Sequence, residues 1–150
     1  IYVDGFRLPS RPLWSGSTEA MIARIGTQLR EHATALLAEV NTLEKLRLVP
    51  ARRLLADRML GLIVLLAQRR QELGREAIEG FADRWMAVLE LGGQGSLEWV
   101  SLPDGRTVPV VTRKGCCLDY LATPSRLCAS CPRQDRAQRL ARQLAEWQPV

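Results

Sequence analysis

Apolar positions recur at helical spacing through most of the first ninety residues. Met21, Ile22, Ile25, Leu29, Ala33, Leu36, Leu37, Val40 and Leu43 follow the period of a helix with one buried face. Ser17 with Glu19 ahead of them marks its start, so the pattern predicts a helix from about Ser17 to Leu46. Pro50 suits the first turn of a second helix. Its apolar face is Leu54, Leu55, Met59, Leu62, Ile63 and Leu66, and Gly74 is its stop. A third helix turns Ile78, Phe81, Ala82, Trp85, Met86 and Leu89 inward. Gly92, Gly93 and Gly95 then break the period. Two β-prone runs follow, Leu97 to Leu102 and Thr107 to Thr112, separated by Pro103-Asp104-Gly105-Arg106. Pro fixes φ there and Gly tolerates positive φ, so the pair of runs reads as a hairpin. The last stretch, from about Pro132 to Trp147, is amphipathic, with Leu140, Leu144 and Trp147 on one face.

The expected architecture is therefore α+β, as one domain over 1–150. An extended arm (1–14) precedes a helical body (17–90) and a hairpin (96–112). A cysteine-bearing loop (113–131) and a C-terminal helix (132–148) complete it. At 150 residues the chain is long enough to bury a core without staples. It begins at Ile1 rather than Met, which reads as a trimmed or partial chain. No charged start followed by an apolar run and a small-residue cleavage site occurs. The longest apolar stretch, Met59 to Ala67, lies between arginines and is far short of the roughly 20 residues a membrane span needs. The expected location is the cytoplasm, including the inner face of the membrane, with no integral membrane segment.

The net charge of +5 is unevenly placed. Between Arg113 and Arg142 stand seven cations (Arg113, Lys114, Arg126, Arg133, Arg136, Arg139 and Arg142) against two acids, Asp119 and Asp135, which is the whole excess; the other 14 cations and 14 acids cancel. A basic segment attracts nucleic acid, anionic lipid, acidic protein or an anionic ligand, and it offsets negative charge bound within it. Any single arginine in the series Arg133, Arg136, Arg139, Arg142 reads more simply as part of a solvated helix face.

All four cysteines lie inside that window: Cys116, Cys117, Cys128 and Cys131, spaced C-C-x10-C-x2-C. Four thiols and no spare is the number a closed four-thiolate site requires, and such clustering points to metal or redox chemistry. Zinc prefers two C-x2-C-like pairs on a tetrahedron. Cys128 and Cys131 make one, but neighbours such as Cys116 and Cys117 point apart in an extended segment. An iron–sulfur cluster is larger and accepts irregular spacing more easily. A vicinal disulfide would be strained, and packing as small apolar groups would not gather four cysteines among arginines. His32 reads as a helix-surface residue rather than a ligand. Tyr120 reads as packing, and Trp85, Trp99 and Trp147 as core or shielding residues. No G-x-G-x-x-G or P-loop occurs, so electrons would have to come from a partner.

Arg113-Lys114-Gly115-Cys116-Cys117-Leu118-Asp119-Tyr120, followed by Cys128-Ala129-Ser130-Cys131-Pro132, resembles the terminal signature of FhuF-type ferric-siderophore reductases. The helical stretch from Arg52 to Ala67 resembles, more weakly, the helix pair that precedes the hairpin in that family. The chain is shorter than the usual member, with the N-terminal half of the common architecture reduced or missing. The resemblance implies a [2Fe–2S] cluster ligated by Cys116, Cys117, Cys128 and Cys131. It further implies one-electron reduction of a ferric siderophore, with electrons from an external donor such as a ferredoxin or flavin reductase. Arg113, Lys114, Arg126, Arg133 and Tyr120 are the candidates for tuning the cluster or meeting the substrate, and no nucleic acid is expected as partner. Two other functions fit the residues: a non-catalytic iron–sulfur module for electron transfer or redox sensing, and a zinc-stabilised nucleic-acid-binding domain.

Overall fold

The computed structural model describes residues 15–122 and 127–147, together with the backbone of two short strands near the start. Those strands, β1 (Tyr2–Val3) and β2 (Phe6–Arg7), pair antiparallel; the remainder of the expected arm lies outside the described residues. Three helices follow: α1 (Thr18–Leu43), α2 (Leu48–Arg69) and α3 (Arg75–Val88). Strands β3 (Gly95–Ser101) and β4 (Thr107–Arg113) form an antiparallel hairpin, and α4 (Arg136–Ala145) closes the chain. The fold is α+β and mainly helical, with the hairpin leading into the cysteine loop, as the pattern predicts.

The element ends have local causes. Ser17 caps α1 by accepting from the Ala20 amide, and Asn41 Oδ1 accepts from Leu46 N–H beyond the last turn, which ends the helix at Leu43 rather than Leu46. Pro50 sits in the first turn of α2, where the missing N–H costs no intrahelical bond. That helix stops at Arg69, ahead of the expected stop, and Gly74 is the N-cap of α3 rather than the end of α2. The fourth helix begins at Arg136 because Asp135 caps it, accepting from Gln138 N–H at 2.8 Å; Pro132 to Gln134 form turns instead of its first residues. In the hairpin, Leu102 and Arg106 bracket the turn, Gly105 adopts φ +86°, and Asp104 accepts from the Arg106 amide.

The core lies where α2, α3 and the hairpin meet. Ala56, Leu60 and Ile63 of α2 pack with Ile78 and Ala82 of α3 and with Val108 and Val111 of β4; Leu89, Leu91, Leu102 and Trp147 fill the margins. Phe81, Trp85 and Trp99 pack against this core. Two expectations are corrected. Along α1 only Ile22 and Gly26 are buried. Met21, Ile25, Leu29, Leu36 and Leu43 are exposed, Leu36 by 61% and Leu43 by 88%. The period is correct, but α1 is pressed against α3 near Gly26, where Val88 Cγ1 stands 2.2 Å from the place a Cβ would take. On α2, Leu62 is exposed and Leu60 is buried in its place.

Candidate thiolate site

The hairpin delivers the first two cysteines. Arg113 is the last residue of β4, paired with Gly95, and Lys114 and Gly115 bend the chain toward α2. Gly115 lies so close that a Cβ would stand 3.0 Å from Arg53 Cβ. Arg53 Nη1 donates to the Lys114 carbonyl at 3.2 Å, fixing the incoming limb of the loop. Leu118 takes φ +61°, a left-handed conformation that costs a non-glycine residue roughly 1–2 kcal/mol. The reversal turns the Asp119 amide onto the Cys117 sulfur, and this hydrogen bond is the main reason that the Cys117 thiol is held below its ordinary pKa, with Arg113 helping.

The returning limb is held by amides and a guanidinium. Arg142 Nη1 of α4 donates to the Leu127 carbonyl at 2.8 Å, and Gln134 Nε2, buried, donates to the Cys128 carbonyl at 2.7 Å. Cys128 to Cys131 form one tight turn, with Cys131 N–H on the Cys128 carbonyl at 3.0 Å. Each end of the loop is thus tied to a different helix, which brings the separated cysteine pairs together. All four thiols are free and lie near one another; Cys131 is 2% exposed and the others are half-buried. Burial pushes the Cys128 thiol up, Arg113 pulls it back, and the neighbouring Cys117 and Cys131 add to the rise.

One cation reaches the sulfurs from inside. Arg113 Nη1 donates to Cys128 Sγ at 3.2 Å, while its Nε donates to Asp57 Oδ2 at 2.7 Å. The two side chains are only 9% and 5% exposed. Burial raises the Asp57 carboxyl and Arg113 lowers it, with burial the larger effect. Burial also opposes the charge on Arg113, but Asp57 and the sulfurs of Cys128 and Cys117 outweigh it and hold the guanidinium ionised.

The other expected residues are placed differently. Arg133 donates to Tyr120 Oη at 3.0 Å and stacks over the ring at 4.5 Å, so these two serve each other. The Lys114 side chain is exposed. Arg126 lies outside the described residues. Arg136 pairs with Glu98 of β3, so the arginine series is not a purely solvated face.

Asp57, Gln134 and Gln143 are not apparent from the sequence pattern. Gln143 shares the helical face of Leu140, Leu144 and Trp147, and it is the buried residue of α4, accepting from Val111 N–H at 2.9 Å and donating to Val111 C=O at 3.2 Å. Asp57 falls on the same stripe as Ala56 and Leu60. A polar residue inside an apolar stripe is the signal that marks both.

A groove of about 990 Å³ opens beside the sulfurs, between α2, β4 and the loop. Leu54, Arg58, Leu65, Cys117 and Cys128 are among its walls. In donor type and number the residues are those a thiolate-held cluster takes: four free sulfurs near one another, with a buried cation beside them. Among the described residues, the four cysteines included, no group of three or more His, Cys, Asp or Glu side chains is placed to hold a metal ion. Among the described residues, too, no helix is long and apolar enough to cross a membrane. Comparison with family models, curated proteins and solved structures gives no match to this chain.

Proposed function

We propose that the protein holds a [2Fe–2S] cluster on Cys116, Cys117, Cys128 and Cys131 and reduces a ferric siderophore in the cytoplasm by transfer of one electron. The observation that carries this reading is the buried Arg113 guanidinium donating to Cys128 Sγ at 3.2 Å beside three other free thiols. A guanidinium at the sulfurs would offset the negative charge of thiolates holding a cluster and so tune it. The terminal signature described above supports the same reading.

When bound, the [2Fe–2S] group supplies a one-electron reductant. Siderophore Fe(III) sits among hard oxygen donors that fit Fe(II) poorly. One electron therefore converts Fe(III) to Fe(II), and the siderophore leaves as the free ligand. That electron enters from an external donor, a ferredoxin or a flavin reductase. The chain's own residues do the rest. Arg113 offsets negative charge at the sulfurs, the Asp119 amide donates to Cys117, and Gln134, Arg53 and Arg142 hold the loop's shape. The groove beside Cys117 and Cys128 gives a substrate access to within reach of the sulfurs.

The test is anaerobic purification followed by a visible spectrum and iron and sulfide analysis. The expected protein is reddish-brown with two irons and two sulfides per chain, and its reduced form is reoxidised rapidly by a ferric siderophore. A colourless zinc protein would refute the reading, and an iron–sulfur protein inert to ferric siderophores would be an electron carrier or sensor instead. Replacing any one of the four cysteines by Ser is expected to weaken or abolish the absorbance.

A further inference from the structure

Asp57 is an acid in the middle of an apolar helix, 5% exposed, between Ala56 and Leu60 of the core. Carrying a carboxylate into such a place is costly, and a buried ion pair is often no better for stability than apolar residues of the same volume. Packing therefore does not account for it. Geometry offers a different account. An arginine side chain is long and has many rotamers, but its guanidinium is a rigid fork. Asp57 takes the Nε edge at 2.7 Å, which leaves Nη1 directed at Cys128 Sγ at 3.2 Å. Gly95 of β3 lies alongside, where a Cβ would make an ordinary contact of 3.5 Å with Asp57 Oδ1 and a tighter one of 3.0 Å with Leu60 Cδ1. Acid and arginine thus join α2 to the end of β4.

We propose that Asp57 is a positioning residue for the thiolate site, holding the Arg113 guanidinium against Cys128 so that the charge felt by the sulfurs is set from the core rather than from the surface. The effect on potential rests on the cluster reading above; the effect on the guanidinium does not. Without Asp57, Arg113 keeps only its contact with the half-buried sulfurs to hold its rotamer, and its charge is freer to move toward water, where screening weakens it.

Two measurements test this. In the first, the midpoint potential and visible circular dichroism are recorded for the iron-loaded protein and for Asp57→Ala, Asp57→Asn, Arg113→Met and the Asp57→Ala/Arg113→Met double variant. Arg113→Met is expected to disfavour reduction about tenfold, equivalent to about 59 mV for one electron. Asp57→Ala should also disfavour it, by less than Arg113→Met because a nearby negative charge is lost as well, and Asp57→Asn, which keeps an acceptor for Nε while removing that charge, should not disfavour it. The double variant should be no worse than Arg113→Met alone, because residues acting as a unit are not additive. It also removes both buried charges together, which avoids the cost of leaving one unpaired. Simple addition of the two single effects, or a native potential in Asp57→Ala beside a shifted one in Arg113→Met, would overturn the proposal. In the second, ¹⁵N spectra of the metal-free protein follow the Arg113 Nε–H. A resolved, slowly exchanging signal that survives Asp57→Asn and merges with the bulk arginines in Asp57→Ala supports the positioning role; a signal unchanged in Asp57→Ala refutes it. If the protein takes up no iron, the cluster reading falls, and the second measurement alone decides for Asp57.

Discussion

Single residues set the shape of the thiolate loop, and their substitution separates strain from packing. Leu118 pays for its left-handed backbone without the return of burial, since its side chain is exposed. Leu118→Gly is expected to be neutral or stabilising by up to about 1 kcal/mol, the strain relieved being offset by the entropy of glycine in the unfolded chain. Leu118→Val should destabilise, because a β-branched residue tolerates positive φ least. Thermal unfolding of the two variants checks both signs. Legibility at this scale divides by kind. The four cysteines stand out by type and spacing, and Arg113 by its place just before them. Asp57 and Gln143 do not, because hydropathy assigns a polar residue to the solvent side, and only the folded chain shows which buried partner each one meets.

Among the elements, the crossing of α1 and α3 is the most sensitive point. Alanine at position 26 would gain up to about 1 kcal/mol in helix propensity. Its Cβ would fall 2.2 Å from Val88 Cγ1, and overpacking of that kind costs about 1–3 kcal/mol. The steric effect wins, so Gly26→Ala should lower stability in chemical denaturation, and Val88→Ala in the same chain should recover part of the loss. Helix and hairpin positions were legible because a period of 3.6 and a Pro-Asp-Gly turn are local properties. The burial of α1 was not: periodicity says which residues share a face, not whether another element covers it. The exposed Leu36 and Leu43 mark the part of α1 beyond that crossing. The start of α4 was misplaced by four residues because Asp135 is the cap, and Pro132 belongs to the turn after Cys131.

For the molecule as a whole, the core and the thiolate loop are separable. The buried residues of α2, α3 and the hairpin form a core cluster that contains no residue of the loop. If the proposed cluster is bound, its removal under reducing conditions is therefore expected to leave the helical far-ultraviolet circular dichroism nearly unchanged. It should lower the melting temperature, as loss of a ligand bound only by the folded state does. Folding also redistributes the charge read along the chain. The window from Arg113 to Arg142 carries the full excess in sequence, but Asp57 and Glu98 from outside it pair with Arg113 and Arg136. Fewer than five uncompensated charges then face an incoming partner. On the proposed function, the reaction with an anionic ferric complex should slow with added salt, with a shallower slope than the sequence count implies; stopped-flow rates at low and high ionic strength measure it. A last consequence follows from Gln143. A two-stranded ribbon has open margins on which a strand from another molecule can lie. On β4 the outward amide and carbonyl of Val111 are both taken by one glutamine side chain, which occupies the place of a neighbouring strand without being able to propagate one. On the β4 side, addition of a further strand at that register would have to displace the α4 glutamine first.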